Sequence, residues 1–145
     1  MNNTDYSKLS DFEINKLVAE TLYKDRKSLI VLRKIPNRSA VSIFCDLGYN
    51  EEIVSIACAD YCNNPEDAWP VITKYKINIE FHQWKNDITK PYSLSNETGL
   101  SAYSDNPLRA AMIVFLKMQD SKNVSERMLN NLENTLKTEN FDTYE

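Results

Sequence analysis

Apolar residues along the chain repeat with two different periods. Phe12, Ile14, Leu17, Val18 and Leu22 recur at helical spacing, and Ser10 followed by Glu13 makes a capping-box pattern. The spacing predicts an amphipathic helix over 11 to 23, with one face on a core or on a partner. "KSLIVLRK" and "SAVSIFC" are short and rich in β-branched residues, and "IPNRS" between them reads as a bend, which predicts a hairpin. "EEIVSIACA" reads either as a strand or as a buried helical turn. In "KYKINIEFHQW", Ile77, Ile79 and Phe81 alternate with Asn78, Glu80 and His82, predicting a strand with one buried face and His82 on its polar side.

Residues 85 to 105 have no strong period. They read as a long turn-rich segment, a candidate lid, in which "PYSLS" is the one stretch with strand character. From Ala110 to Met118 the chain is at its most apolar, which predicts the central helix. A further amphipathic helix is predicted over "NVSERMLNNLENTLKT", where Val124, Met128, Leu132 and Leu136 form one narrow stripe. That stripe either completes the core or meets a second subunit. Helices at the start, middle and end imply an α+β single domain, with a small antiparallel or mixed sheet covered by helices rather than a doubly wound nucleotide fold.

Composition narrows the picture. The chain has 145 residues, enough for one core without disulfides or a metal, and its 2 glycines argue against a glycine-rich phosphate loop. Net charge is −4, and the densest basic run, "KDRK", contains Asp25, so nucleic acid is not an expected partner. The charge is also too small for an acidic DNA mimic. No apolar secretory or membrane segment stands at the N-terminus, and the cysteines number three, so a cytoplasmic location is expected. Cys58 and Cys62 with the one histidine, His82, do not complete a recognisable zinc set without Cys45 or a carboxylate; three ordinary thiols are the simpler expectation.

Two stretches begin helices in the same way. In "CNNPEDAWPVI", Asn64 is the expected cap, Pro65 fits the first helical position, Asp67 is placed to return a bond to the cap, and Trp69 is expected to face the core. In "DNPLRAAM", Asn106 caps, Pro107 follows, and Arg109 stands where the helix dipole disfavours a cation unless an acid or anionic ligand meets it. If the two starts converge, Asn63, Asn64, Asp67, Asn106 and Arg109 with a stacking Trp69 form a candidate site for a phosphate or carboxylate. The structural alternative is an Arg109 salt bridge to Asp67 or Glu66. Specific catalytic spacings are absent, so no catalytic residue, metal ligand or cofactor is assigned, and His82 is read as a polar or half-buried structural side chain.

Four blocks in order, "DYSKLSDFEINKLVAE", "CNNPEDAWPVI", "KINIEF" followed by a tryptophan, and "NPLRAAMIVFLKMQ", resemble the NinX family of small phage and prophage proteins, related in pattern to a phage α-β-α sandwich domain. The resemblance covers roughly residues 5 to 120 and implies an αβα sandwich, taken as a domain over residues 1 to 120, and the cytoplasm of a bacterial host; residues 121 to 145 lie beyond it and are expected as a C-terminal helical extension packed on the domain or at an interface. It implies no mechanism. The expected function is a non-enzymatic accessory protein that binds and modulates a host or phage protein, with counter-defence as one setting and homo-oligomerisation through the C-terminal helix. A small protein sequestering an anionic nucleotide at the two helix starts is the second expectation, and a metal-dependent hydrolase or nuclease the third.

Overall fold

The computed structural model describes residues 4–26, 29–46 and 53–143. Among the described residues six strands divide into two antiparallel three-stranded sheets rather than one. The first contains β1 (Ile30–Lys34), β2 (Val41–Asp46) and β3 (Ile53–Ala59), and the second β4 (Ile77–Gln83), β5 (Thr89–Ser95) and β6 (Ser101–Tyr103), each in sequence order. The α-helices α1 (Asp11–Leu22), α2 (Pro65–Tyr75) and α3 (Pro107–Thr143) hold them together. The architecture is α+β.

The N-terminal helix starts as its sequence requires, with the Ser10 hydroxyl accepting from the Glu13 N–H and the Glu13 carboxylate accepting from the Ser10 N–H. Ile14, Val18 and Ala19 face the core, and so does Asn15. The first hairpin forms at its expected place, with Asn37 in the left-handed region at the turn. "EEIVSIACA" resolves as strand β3, although its Glu51 and Glu52 lie outside the described residues. One register shift between Ile43 and Phe44 marks a bulge in the β2–β3 ladder.

The α3 helix is the hub, packing on α1, α2 and all three strands of the second sheet. Residues Ala110 to Leu116 are all buried, which is the reason for an unbroken apolar run: a helix covered on every side has no polar face to keep. Phe115 lies at its centre, 4.8 Å from the Tyr75 ring. The two helices expected over 110 to 118 and 123 to 138 are one continuous element.

The segment read as a lid is instead the middle of a sheet. Strand β5 pairs with β4 from Thr89 to Ser95 and with β6 from Tyr92 to Leu94. Its buried positions are Pro91, Ser93 and Ser95, small residues facing α3, so an alternation is present but in size and burial rather than in hydrophobicity. Pro91 is tolerated because the β6 pairing starts only at the next residue. In β4 burial falls along the strand: Ile77 is 5 % exposed and Phe81 62 %, so Phe81 is not the core residue the alternation predicts. Among the described residues no helix is long and apolar enough to cross a membrane.

Candidate functional site

The two Asn-Pro helix starts meet. Asn64 caps α2 by accepting from the Glu66 N–H at 3.1 Å, and Asn106 caps α3 by accepting from the Leu108 N–H at 2.9 Å. The Asn106 amide then donates to the Asn63 side-chain oxygen at 2.9 Å and to the Cys62 carbonyl at 2.7 Å, joining one helix start to the other. Asn63 passes the connection on, its own amide lying 3.1 Å from both an Asp11 and an Asp60 oxygen.

Beneath this surface lies a buried polar centre. Asn15, with no exposed surface, accepts from the Cys62 N–H at 2.9 Å and donates to Asp60 at 2.8 Å and to the Ser39 carbonyl at 2.9 Å. Ser39 donates its hydroxyl to the second Asp60 oxygen at 2.6 Å. Asp67 does not return to its cap residue; it accepts from the Asp60 N–H at 2.9 Å, stapling the end of β3 to the first turn of α2. A single asparagine on α1 therefore ties together the first hairpin, the β3–α2 turn and the core.

Arg109 meets its acid, but the acid is Asp11 rather than Asp67 or Glu66. Nη1 donates to Asp11 at 2.7 Å, while Nη2 reaches the Tyr6, Ser7 and Leu9 carbonyls, the last at 2.6 Å. This resolves the charge at the helix start: an N-terminal carboxylate of α1 offsets the guanidinium at the N-terminus of α3. The side chain is 14 % exposed and clamps the segment before α1 onto the domain. Trp69, expected in the core, is 60 % exposed, because the buried stripe of α2 runs through Ala68, Val71 and Ile72.

Asn63, Asn64 and Asp67 line a shallow cleft of about 540 Å³ together with Arg38, Ser39 and Asp60. Asn106 and Arg109 do not line it. Arg109 instead borders a separate polar pocket of about 340 Å³ with Ser7, Lys90, Tyr103, Ser104 and Asp105. Among the described residues no group of three or more His, Cys, Asp or Glu side chains is placed to hold a metal ion.

Cys62 sits under the junction, fully buried, and its thiol is pushed up to about 12, first by burial and then by the Asp11 charge, with Arg109 opposing. Cys58 is exposed. Under native conditions at neutral pH, a thiol-specific alkylating reagent should therefore label Cys58 readily and Cys62 slower by ~1000-fold or more, since Cys62 reacts only through opening of the fold. Mass spectrometry of labelled peptides over time checks this; equal rates at the two positions would contradict the burial.

A second cluster lies on the outer face of the second sheet. The β4–β5–β6 register puts Glu80, His82, Lys90, Tyr92 and Tyr103 on one side. His82 bonds the Tyr103 hydroxyl at 2.8 Å and the Glu80 carboxylate at 3.0 Å, and stacks on Tyr92 at 4.2 Å. Trp84 meets Tyr103 edge to face at 5.5 Å, and the Lys90 ammonium stands 5.7 Å above the Trp84 ring. The polar side of β4 signalled half of this cluster. Tyr92 and Tyr103 lay in the segment without a period, so their meeting with His82 was not visible.

Two small antiparallel sheets on a central helix, with a polar junction locking two Asn-Pro helix starts, define a compact α+β scaffold whose signature residues are first of all structural. The chain belongs to the family of bacteriophage P22 NinX, whose model matches residues 5–119. No curated protein and no solved structure gives a match. The matched region ends where the apolar half of α3 ends, near Met118.

Proposed function

We propose that this NinX-family chain is a phage accessory protein that acts by binding and modulating a host or phage protein in the bacterial cytoplasm, without catalysis. The observation that carries the reading is the outer face of the second sheet, where Trp84 is 51 % and Tyr103 40 % exposed in a contiguous cluster with Tyr92 and His82. Exposed aromatics held by neighbouring rings and a His82–Glu80 contact supply apolar contact area at little ordering cost, as binding anchors do. Counter-defence, by covering a component of the host's immunity, is one setting for such a surface.

A second reading, sequestration of an anionic nucleotide, draws on the pocket that Lys90 and Tyr103 share beside this face. There a phosphate meets Lys90 and a base stacks on the aromatic cluster. Arg109 contributes less than its helix-start position suggested, since it is engaged with Asp11 and three carbonyls.

One experiment separates the two readings. The purified protein is mixed with host lysate and, separately, with a panel of anionic nucleotides, and bound species are identified by native mass spectrometry. A host protein released ~10-fold or more readily from Trp84→Ala supports the first reading. A discrete nucleotide mass that is lost in Lys90→Ala supports the second. Partners retained undiminished by both variants would remove this face from consideration.

A further inference from the structure

His82 is the one histidine of the chain, and on the outer aromatic face its ring meets side chains from all three strands of the second sheet. On its own strand, β4, Nε2 lies 3.0 Å from the Glu80 carboxylate. From β6 the Tyr103 hydroxyl comes to 2.8 Å of Nδ1, and from β5 the Tyr92 ring stacks at 4.2 Å, with Lys90 as the direct register partner. Among the described residues, Glu80, Lys90, Tyr92 and Tyr103 are the titratable and charged groups placed about the ring, because α3 covers the opposite face of the sheet. Asp105 and Arg109 belong to the pocket beyond Lys90 and Tyr103, where Arg109 is held by Asp11.

The two bonds fix which nitrogen of the neutral ring carries the proton. A carboxylate only accepts, so the nitrogen facing Glu80 is the N–H and Nδ1 is left as an acceptor. The Tyr103 hydroxyl therefore donates to Nδ1, and its oxygen offers only a lone pair to an incoming molecule. When the ring takes a second proton, both nitrogens donate. The 2.8 Å contact then persists with its direction reversed: the Tyr103 oxygen accepts from Nδ1, and the hydroxyl proton turns away from the ring.

We propose that His82 is a proton switch that reverses the hydrogen-bonding polarity of the aromatic face at Tyr103, and with it the partner group that the face accepts. With His82 neutral, the face presents an acceptor at Tyr103 and takes an N–H or O–H donor there. With His82 protonated, it presents an outward O–H and a cation opposite Lys90, and takes an anionic oxygen. Heavy atoms keep their places, since Nδ1 and the hydroxyl exchange roles across the same distance. The charged ring retains an acceptor for each N–H, at Glu80 and Tyr103, and the Tyr92 face beside it. Lys90 is the like charge opposite, and its ammonium is drawn over the Trp84 ring, 5.7 Å from the centre. Among the residue types of this face, histidine alone changes charge between about pH 5 and 8. Tyr103 is 40 % exposed, so the reversal takes place where a partner would touch.

The inference rests on the reading of this face as the binding surface, but its test needs no partner. Nuclear magnetic resonance of the full chain, labelled in histidine and tyrosine, reads the switch, and the single histidine makes the ring signals unambiguous. At about pH 8.5 Nε2 should carry a proton and Nδ1 none, and at about pH 5.5 both should carry one. The Tyr103 Cζ signal, assigned by its loss in Tyr103→Phe, should move with the same midpoint as the ring and stay still in His82→Gln. Sulfate, whose charge is constant over this interval, is the binding probe. Its affinity, read at the Trp84 indole N–H, should be about 5-fold higher at the lower pH, and the difference should vanish in His82→Gln. A neutral ring protonated at Nδ1, a Tyr103 signal indifferent to the state of His82, or a sulfate affinity independent of pH would overturn the inference. The lysate comparison with Trp84→Ala tests the binding role by itself, so failure of the switch and failure of that reading are distinguishable.

Discussion

Arg109→Ala lowers the folding free energy by about 3 kcal/mol, and the loss is accompanied by release of the segment before α1. The guanidinium is largely buried and makes a 2.7 Å ion pair with Asp11 and contacts to three carbonyls, at Tyr6, Ser7 and Leu9. Its removal leaves a half-buried carboxylate without its cation and several carbonyls without a donor, the class of change that costs about 3–5 kcal/mol when fully buried and somewhat less at this exposure. For a chain of this size the melting temperature drops by about 10 °C. Hydrogen exchange in peptides covering residues 4 to 10 should accelerate at the same time. Arg109→Lys keeps the charge but not the planar fork, and recovers less than half of the loss. A variant of unchanged stability that had lost a bound anion would instead make Arg109 a ligand hook, so chemical denaturation of these two variants decides which role it has.

Asn15→Leu is expected to cost about as much, roughly 3 kcal/mol, although it adds apolar volume to a buried site. Asparagine at this position satisfies the Cys62 N–H, the Ser39 carbonyl and one Asp60 oxygen. Leucine leaves the Cys62 N–H and the Ser39 carbonyl unmatched, each costing about 1–3 kcal/mol if water does not reach it, and takes one of its donors from an Asp60 oxygen that keeps the Asn63 amide. Asn15→Asp preserves the acceptor for Cys62 but sets two carboxylates against each other. Its deficit should shrink on acidification, when one shared proton removes the repulsion. Urea melts at neutral and mildly acidic pH measure both effects. An Asn15→Leu protein as stable as the parent would show that the polar centre is not what orients α1 against the first hairpin and the β3–α2 turn.

Arg109 and Asn15 show how differently two important residues present themselves along the chain. Arg109 stands out because a cation at a helix start is unfavourable in isolation, a local statement that requires no knowledge of the fold; what it does not contain is the partner, ninety-eight residues away in sequence at Asp11. Asn15 sits among Phe12, Ile14, Leu17 and Val18 and looks like an ordinary polar residue on an amphipathic helix. Its burial depends on Asp60, Ser39 and Cys62 arriving from other elements, and no local pattern marks it.

The same distinction applies to the elements. The capping box at Ser10, the Asn64 and Asn106 caps, the first hairpin, strand β4 and the buried run of α3 were legible because backbone end groups, side-chain periodicity and burial act over a few residues. Strand β5 was legible only as the strand character of "PYSLS" within a segment read as a lid, because α3 approaches it closely enough that its inward positions are Pro91, Ser93 and Ser95, and a face of small residues has no hydrophobic period to read. Trp69 and Phe81 failed for the converse reason: both are large and apolar, but which side of a helix or which end of a strand is covered depends on neighbours distant in sequence. By itself the sequence determined where chain segments start, stop and turn, together with the α+β class. Only the tertiary structure decided that the two helix starts lock to each other, that Arg109 closes on Asp11, and that His82, Tyr92, Tyr103 and Trp84 share one face, since each of these is a meeting of groups whose separation along the chain carries no energy until the fold brings them into contact.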